Sequence, residues 1–380
     1  MEGASRQPAH RLHLMLDGSA RSSPRICTLL QSAMAIELLP LTSDRLTELE
    51  TLLLPVWQRR WDRLQSERIF RWRFLERPEG EGLIAYDNGR AVGFIDSFFR
   101  QYRTRAGLIR VREPADWYCH PSYRPLLSIR LIRKLMQSGE ALLVVGGNPN
   151  TRNVLPKLGY KALPDVASYM LPTGTGAFAK VLAGTVRFPL HRVPRFLIRP
   201  LSVRTLWGGR AHRSSLEFGM RQVQGPPPMP EASTNGGSYG LAPVFPTEEH
   251  DWFRNAPGRM GEFMWFEFET AHAKGLSFVR LYQDGPFRAA RILHIEASRP
   301  SVLLYDSILR GTIGALLPYR PQWITARFTS PMARQAIQSA GFKGVGAYKA
   351  FWWHRDIPPP EGPLHLSWTT SDEGLLPYPN

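Results

Sequence analysis

In this 380-residue chain one order of elements occurs twice: a strand, a long helix, a strand, a short helix, a Gly-aromatic pair and a further strand. The first occurrence lies in Ala35–Leu171 and the second in Tyr239–Trp353. In the first, "ALLVVGG" (Ala141–Gly147) is a short, wholly apolar run, as a buried central strand requires. "NPNTRNVLPKLGY" follows it as a helix start with a glycine stop. In the second, "QWITARF" is followed by "SPMARQAIQSAGF" in the same roles. "KLGY" (Lys157–Tyr160) and "SAGF" (Ser339–Phe342) fill the same slot. A duplicated unit explains this pattern better than chance.

Ahead of that order, each block also carries a D-x-G or D-G turn between its middle strands. "AIELLPLT" reads as a strand, and Ser43 or Asp44 caps a helix in which Leu46, Leu49, Leu52 and Leu53 fall at helical spacing. A second helix covers Glu67–Leu75. "GLIAYDNGRAVGFIDSFF" is a hairpin around Asp87-Asn88-Gly89. A strand at Leu108–Val111 resumes at Asp116–Cys119, a helix spans Pro125–Gln137, and Val166–Leu171 closes the unit. Block two reads as a strand in "YGLAPVF", a helix from Thr247, then three strands, the last two joined at Gln283-Asp284-Gly285. A helix follows in "SVLLYDSILRGTIGALL", and "GAYKAFWW" is the final strand. The fold class is therefore mixed α/β, in two tandem domains.

The segments outside the blocks are of another kind. Residues 1–34 read as a disordered leader, with Met34 a candidate start. Residues 172–238 form a basic linker: nine Lys/Arg, from Lys180 to Arg221, stand against Glu217 and Glu231. Pro189, Pro194 and Pro200 interrupt any long helix there. Residues 356–380 read as a loose, Pro-rich tail. The net charge of +16 favours anionic partners, and 172–222 is the stretch suited to an anionic membrane surface. No DNA partner is expected. Only Cys27 and Cys119 are present, which excludes a disulfide framework and suits a reducing cytoplasm. No metal site is expected.

"GRAVGFID", "DWYCHPSYR" (Asp116–Arg124), "NPNTRNVLPKLGY" and the strand after it make block one resemble the GNAT superfamily of acyl-CoA N-acyltransferases. Two such blocks look like its double-domain members and, more distantly, Fem-type aminoacyltransferases. The second block matches in pattern only. The resemblance implies that acetyl-CoA or another acyl-CoA lays its pyrophosphate on backbone amides at a helix start, where the dipole favours negative charge. The cofactor-binding positions it implies are Cys119, Arg124, Leu126, Leu127, Ser128, Ile129, Asn148 and Asn153. Arg124 matches the first position of the family's Arg/Gln-x-x-Gly-x-Gly/Ala loop; Leu127 and Ile129 stand where small residues belong. The resemblance also implies a base on the strand before the loop, Asp116, with His120 beside it. The tyrosine that often protonates the leaving thiolate is replaced by Leu155 and Ile337. Asn148 and Asn150 are equally suited to capping a helix.

The expected function is N-acyl transfer from acyl-CoA to an amine of a small molecule or cell-envelope precursor. The expected location is cytoplasmic or peripheral to the membrane. The alternatives are a Fem-like transferase using aminoacyl-tRNA or a lipid-linked substrate, and a non-catalytic scaffold of the same fold.

Overall fold

The computed structural model describes residues 36–57, 62–124, 126–174, 218–225 and 239–370. The leader, most of the basic linker and residues 371–380 lie outside these. The first half contains β1 (Glu37–Pro40), α1 (Leu46–Trp57), α2 (Arg63–Phe74), β2 (Gly80–Asp87), β3 (Arg90–Thr104), β4 (Gly107–Cys119), α3 (Leu126–Met136), β5 (Ala141–Val145), α4 (Pro149–Val154) and β6 (Lys161–Pro172). After β7 (Gly219–Val223) and β8 (Ala242–Val244) come α5 (Thr247–Arg254), β9 (Glu262–Glu269), β10 (Lys274–Asp284), β11 (Phe287–Ala297), α6 (Val302–Leu316), β12 (Trp323–Phe328), α7 (Pro331–Ser339) and β13 (Lys343–Trp353).

One sheet carries both halves, in the order β1-β2-β3-β4-β5-β13-β6-β12-β11-β10-β9-β7, with β8 on β3. The centre of that order corrects the expectation that each block closes on its own last strand. β13, the end of the second half, pairs with β5 through Ala350–Trp353 and Val145–Leu142. β6, the end of the first half, pairs with β12 through Ala167–Pro172 and Phe328–Trp323. β6 and β13 then pair with each other. The halves have exchanged their last strands. Residue pattern could not reveal this, because either strand satisfies either neighbour.

The repeat also needs a correction at its turns. β4–α3–β5 and β11–α6–β12 are the equivalent parallel crossovers. Asp87-Asn88-Gly89 joins β2 to β3, whereas Asp284-Gly285 joins β10 to β11. The two turns are not equivalent positions. The first is a tight hairpin with both Asn88 (φ 49°) and Gly89 (φ 77°) left-handed. Matching glycine stops do hold: Gly159 and Gly341 are both left-handed, at φ 88° and 91°.

Helical faces follow their apolar stripes. Leu127, Leu131 and Leu135 of α3 are buried against Ile95, Leu142 and Val144, while α1 and α2 cover the other face at Ile84 and Phe94. A near-symmetric contact joins the halves. The indoles of Trp72 (α2) and Trp252 (α5) stack at 4.4 Å, and each N–H donates to the other's backbone carbonyl, at 2.9 and 2.7 Å.

The tail is not loose where it is described. Leu364 through Thr370 are all buried, and Leu364 and Leu366 join the seam core with Tyr102, Val111 and Trp352. Three large apolar side chains in a Pro-rich context were the missed signal: Leu364, Leu366 and Trp368 alternate as in a strand.

Strand exchange predicts that residues 36–174 do not fold alone, because β5 and β6 each lose β13. The fragment should show no cooperative thermal transition and no near-UV circular dichroism, and both should return on co-expression with residues 218–370. A cooperative transition in the isolated fragment would contradict the exchange.

Candidate active site

The two parallel crossovers each leave a split in the sheet. β4 and β5 are paired only at Val111–Ala141 and Arg112–Leu142. β4 then runs on to Cys119 and β5 to Val145, and the ladder between them is over. Past Arg112, β4 therefore presents a strand edge facing the split. Pro114, which lacks an N–H, sits in this stretch, as an edge permits. At the far end of β4 the chain turns through Pro121–Tyr123 and enters α3 at Leu126. The first-turn amides of α3 have no intrahelical acceptor, as at any helix start.

β11 and β12 repeat this arrangement. They pair at Ala290–Ile324 through Ile292–Ala326 and then part. This second split is occupied by the tail. On the β12 side, Thr329 N donates to Leu366 O (3.1 Å), Leu366 N donates to Thr329 Oγ1 (2.8 Å), and Thr329 Oγ1 donates to Leu364 O (2.7 Å). On the β11 side, His365 Nε2 donates to Ile295 O (2.6 Å), and His294 Nδ1 meets Ser367 Oγ at 3.1 Å. The start of α6 is closed as well, since Ser301 Oγ accepts from Leu304 N (3.1 Å).

Asp116 lies at an irregularity in β4, where Phe94 faces Tyr118 and Asp96 faces Ala115. Its backbone is left-handed (φ 41°), a conformation costly for a residue with a side chain. The buried Arg73 guanidinium holds it there: Nε and Nη2 both lie 2.8 Å from Asp116 Oδ2. The carboxylate is thus committed to an ion pair. His120 precedes the Pro121–Tyr123 turn, and its Nδ1 accepts weakly from Ser122 N (3.4 Å). It lines a 570 Å³ groove with Glu48, Arg90 and Tyr118.

The remaining positions divide in two. Cys119 is buried; burial pushes its thiol up, and Ser128 Oγ donates to Sγ at 3.2 Å. Leu127 is buried too. It packs so closely on Gly93 that a Cβ there would lie 2.7 Å from Leu127 Cδ2. Its side chain therefore fills the core beneath the helix start. Leu126 is 50% exposed, and Ser128 and Ile129 are half-buried. Exposed Arg124 donates from Nε to Cys119 O (2.8 Å). At the end of β5, Gly146 and Gly147 are both left-handed. Asn148 caps α4 by accepting from Thr151 N (3.0 Å), and Asn153 is exposed on that helix. The structure therefore gathers Arg124, Leu126 and Ser128 at the α3 start and places Asn148 across the split. Leu155 and Ile337 are core residues, and Tyr160 is buried among apolar side chains, its phenol pushed up by burial.

Residue pattern missed the polar network between the halves. Arg100 (β3) ion-pairs with Glu113 (β4, 2.7 Å) and with Glu249 (α5), and donates to Thr369 O (3.1 Å). Tyr102 donates to Glu113 (2.7 Å). Burial alone would lower the guanidinium, but Glu113 and Glu249 together hold it well above its ordinary value. Glu113 is the residue directly after the last β4–β5 pair. The only sequence signal for this network was polar residues at inward positions of two long strands. Beside it lie three buried histidines. Burial brings His250 and His365 down to about 4, and burial with the neighbouring His365 holds His294 well below the ordinary imidazole range. Among the described residues, no three His, Cys, Asp or Glu side chains converge as metal ligands.

These histidines set a pH dependence. Folded, they stay neutral; unfolded, they titrate near 6.5. Between those values the unfolded chain binds more protons. Their contribution is therefore complete above pH 6.5 and is lost as pH falls toward 4. Melting temperature should drop across that window, and His365→Gln should flatten the slope. An unchanged slope would contradict this assignment.

No protein-family model matches the sequence, and no curated protein matches it. Among solved structures, Saccharomyces cerevisiae N-myristoyltransferase with bound myristoyl-CoA is similar, with a TM-score of 0.52 at 12% identity over 85% of this chain and 84% of that one. A GCN5-related N-acetyltransferase from Anabaena variabilis gives 0.53 at 11% identity, over 83% and 72%. At such identities the likeness is one of fold: this chain shares the mixed α/β fold of these two transferases.

Proposed function

We propose that the chain is an N-acyltransferase that takes its acyl group from an acyl-CoA held in the first half alone. The observation that carries this is the asymmetry of the two splits. β4 and β5 part after Arg112 and leave a strand edge leading from the α3 start, whereas the counterpart between β11 and β12 is threaded by Leu364–Thr370. An extended amide-bearing arm suits such an edge, because a strand edge recognises extended chains through its main chain. The pyrophosphate would lie against the α3 amides with Arg124 beside it. Leu127 and Ile129 stand where glycine would allow close backbone approach, so phosphate contacts carry less of the affinity. The second half is then a degenerate copy serving the fold.

In this reading the amine nitrogen attacks the thioester carbonyl. The C–N bond forms, the C–S bond breaks, the thiolate takes up a proton and the ammonium gives one to solvent. Positioning supplies most of the acceleration. Asp116 acts through the bulge it holds with Arg73, and His120 through the turn that leads to α3. The acceptor is an amine of a small molecule or envelope precursor. Acetyl-CoA is the simplest donor, and the myristoyl-CoA bound by the yeast neighbour is the reason to test a long chain too.

Calorimetric titration with acetyl-CoA and myristoyl-CoA tests the reading, combined with hydrogen exchange. At least one donor should bind and protect residues 113–131 and 141–148, leaving 290–306 and 327–340 unchanged. Arg124→Glu should weaken binding by roughly tenfold, the loss of one charge-assisted phosphate contact. Absence of binding at millimolar donor, or protection confined to the second half, would overturn it.

A further inference from the structure

Beyond its start, the outward side of α3 carries cations that the acyl-transfer reading does not use. Leu126, Ile129, Arg130, Arg133, Lys134 and Gln137 recur at helical spacing and line one groove of 570 Å³, with Leu38 of β1. Arg130, Arg133 and Lys134 are exposed, and Leu126 is exposed by half. No residue lining the groove is acidic, and α3 itself (LLSIRLIRKLM) contains no carboxylate. Glu140, the first acid after the helix, faces Arg110 at 3.5 Å.

The other stripe of α3, through Leu127, Leu131 and Leu135, already satisfies the core. The outer apolar side chains therefore contribute little to folding. They sit at the start of the helix, with the three cations ranged along the turns that follow. That is the arrangement of an interfacial element: short apolar residues for the headgroup boundary, flanked by cations for anionic headgroups.

We propose that this face of α3 docks the protein on an anionic phospholipid bilayer, with phosphodiester headgroups against Arg133 and Lys134 and with Leu126 and Ile129 entering the interface. The occupant follows from charge complementarity, since a groove of cations and leucines without an acid has no favourable contact to offer a cationic or purely apolar partner. No helix among the described residues is long and apolar enough to cross a membrane, so the attachment is peripheral. The proposal stands independently of acyl transfer. If both hold, the mouth of the β4–β5 split faces the bilayer surface, because Leu126 begins the helix that forms it.

Co-sedimentation of the full chain with phosphatidylcholine vesicles, with and without phosphatidylglycerol, tests it. Binding should require phosphatidylglycerol and fall with added salt. Arg133→Glu with Lys134→Glu should weaken it by more than roughly tenfold, since each cation near an anionic surface contributes on that scale. Near-UV circular dichroism establishes that the variant is folded; if it is not, Arg133→Gln with Lys134→Gln replaces it, with a smaller loss in the same direction. Leu126→Asp should weaken binding at unchanged net headgroup charge. No binding of the wild type to anionic vesicles overturns the proposal. Full binding by the folded double variant also overturns it and moves the membrane contact elsewhere, to the basic stretch 172–222 first. Loss of vesicle binding by the Arg133 and Lys134 double variant with unchanged acyl-CoA titration separates it from failure of the catalytic reading.

Discussion

The exchange of β6 and β13 is the constraint on which the rest of this structure depends. Four strands, β5-β13-β6-β12, form the seam of one sheet, and neighbours in it come alternately from the two halves. Neither half can complete its hydrogen-bonding ladder alone, and an unpaired central edge is both costly and prone to wrong pairing. On their far sides β5 and β12 pair with β13 and β6, and each follows its crossover partner for only two or three residues.

Near-symmetry at the seam makes the asymmetry of the tail informative. The Trp72–Trp252 pair shows how closely the two halves still correspond: same ring, same donor, same acceptor. The tail segment Leu364–Thr370 enters the second split, where it supplies main-chain, hydroxyl and imidazole groups that pair with Thr329, His294 and Ile295. It then continues to Arg100, which already bridges Glu113 and Glu249. This buried ion network couples the tail, the first split and α5. Removing one partner of such a network leaves an uncompensated charge, a loss of about 3–5 kcal/mol, so the network enforces one relative placement of the halves.

Much of this was legible in the residues and some was not, for definite reasons. The wholly apolar Ala141–Val145, the Asn88-Gly89 turn, the helix start at Ser330 and the Gly159 and Gly341 stops are local signals, and the elements they mark are all present. Strand partnership is not local. "ASYMLP" and "AFWW" carry the same apolar pattern, and nothing in either names its neighbour. The tail was misread because proline content is a property of composition, whereas Leu364, Leu366 and Trp368 are buried by alternation. At the candidate site, the helix start after Arg124 was visible, but the direction in which Leu127 points was not. Its inward turn depends on Gly93, on a strand far from it in sequence.

That inward turn changes what bulky residues at the α3 start imply. Had Leu127 faced the mouth, it would have covered the amides and closed the site to any anion. Buried on Gly93, it leaves Leu126 and Ser128 as the side chains flanking them, and it locks the helix start against β3. In the proposed reading, the helix start would receive an anion without close backbone approach. Rigidity and proximity contribute to binding in different ways: the first limits the ordering cost on association, the second strengthens each charge-assisted contact. In the proposed reading, a fold that keeps the first and gives up the second would draw its affinity from the strand edge along β4, through amide-to-amide contacts independent of phosphate. The unusual loop is therefore consistent with a carrier site whose centre of gravity has moved from the helix start into the split.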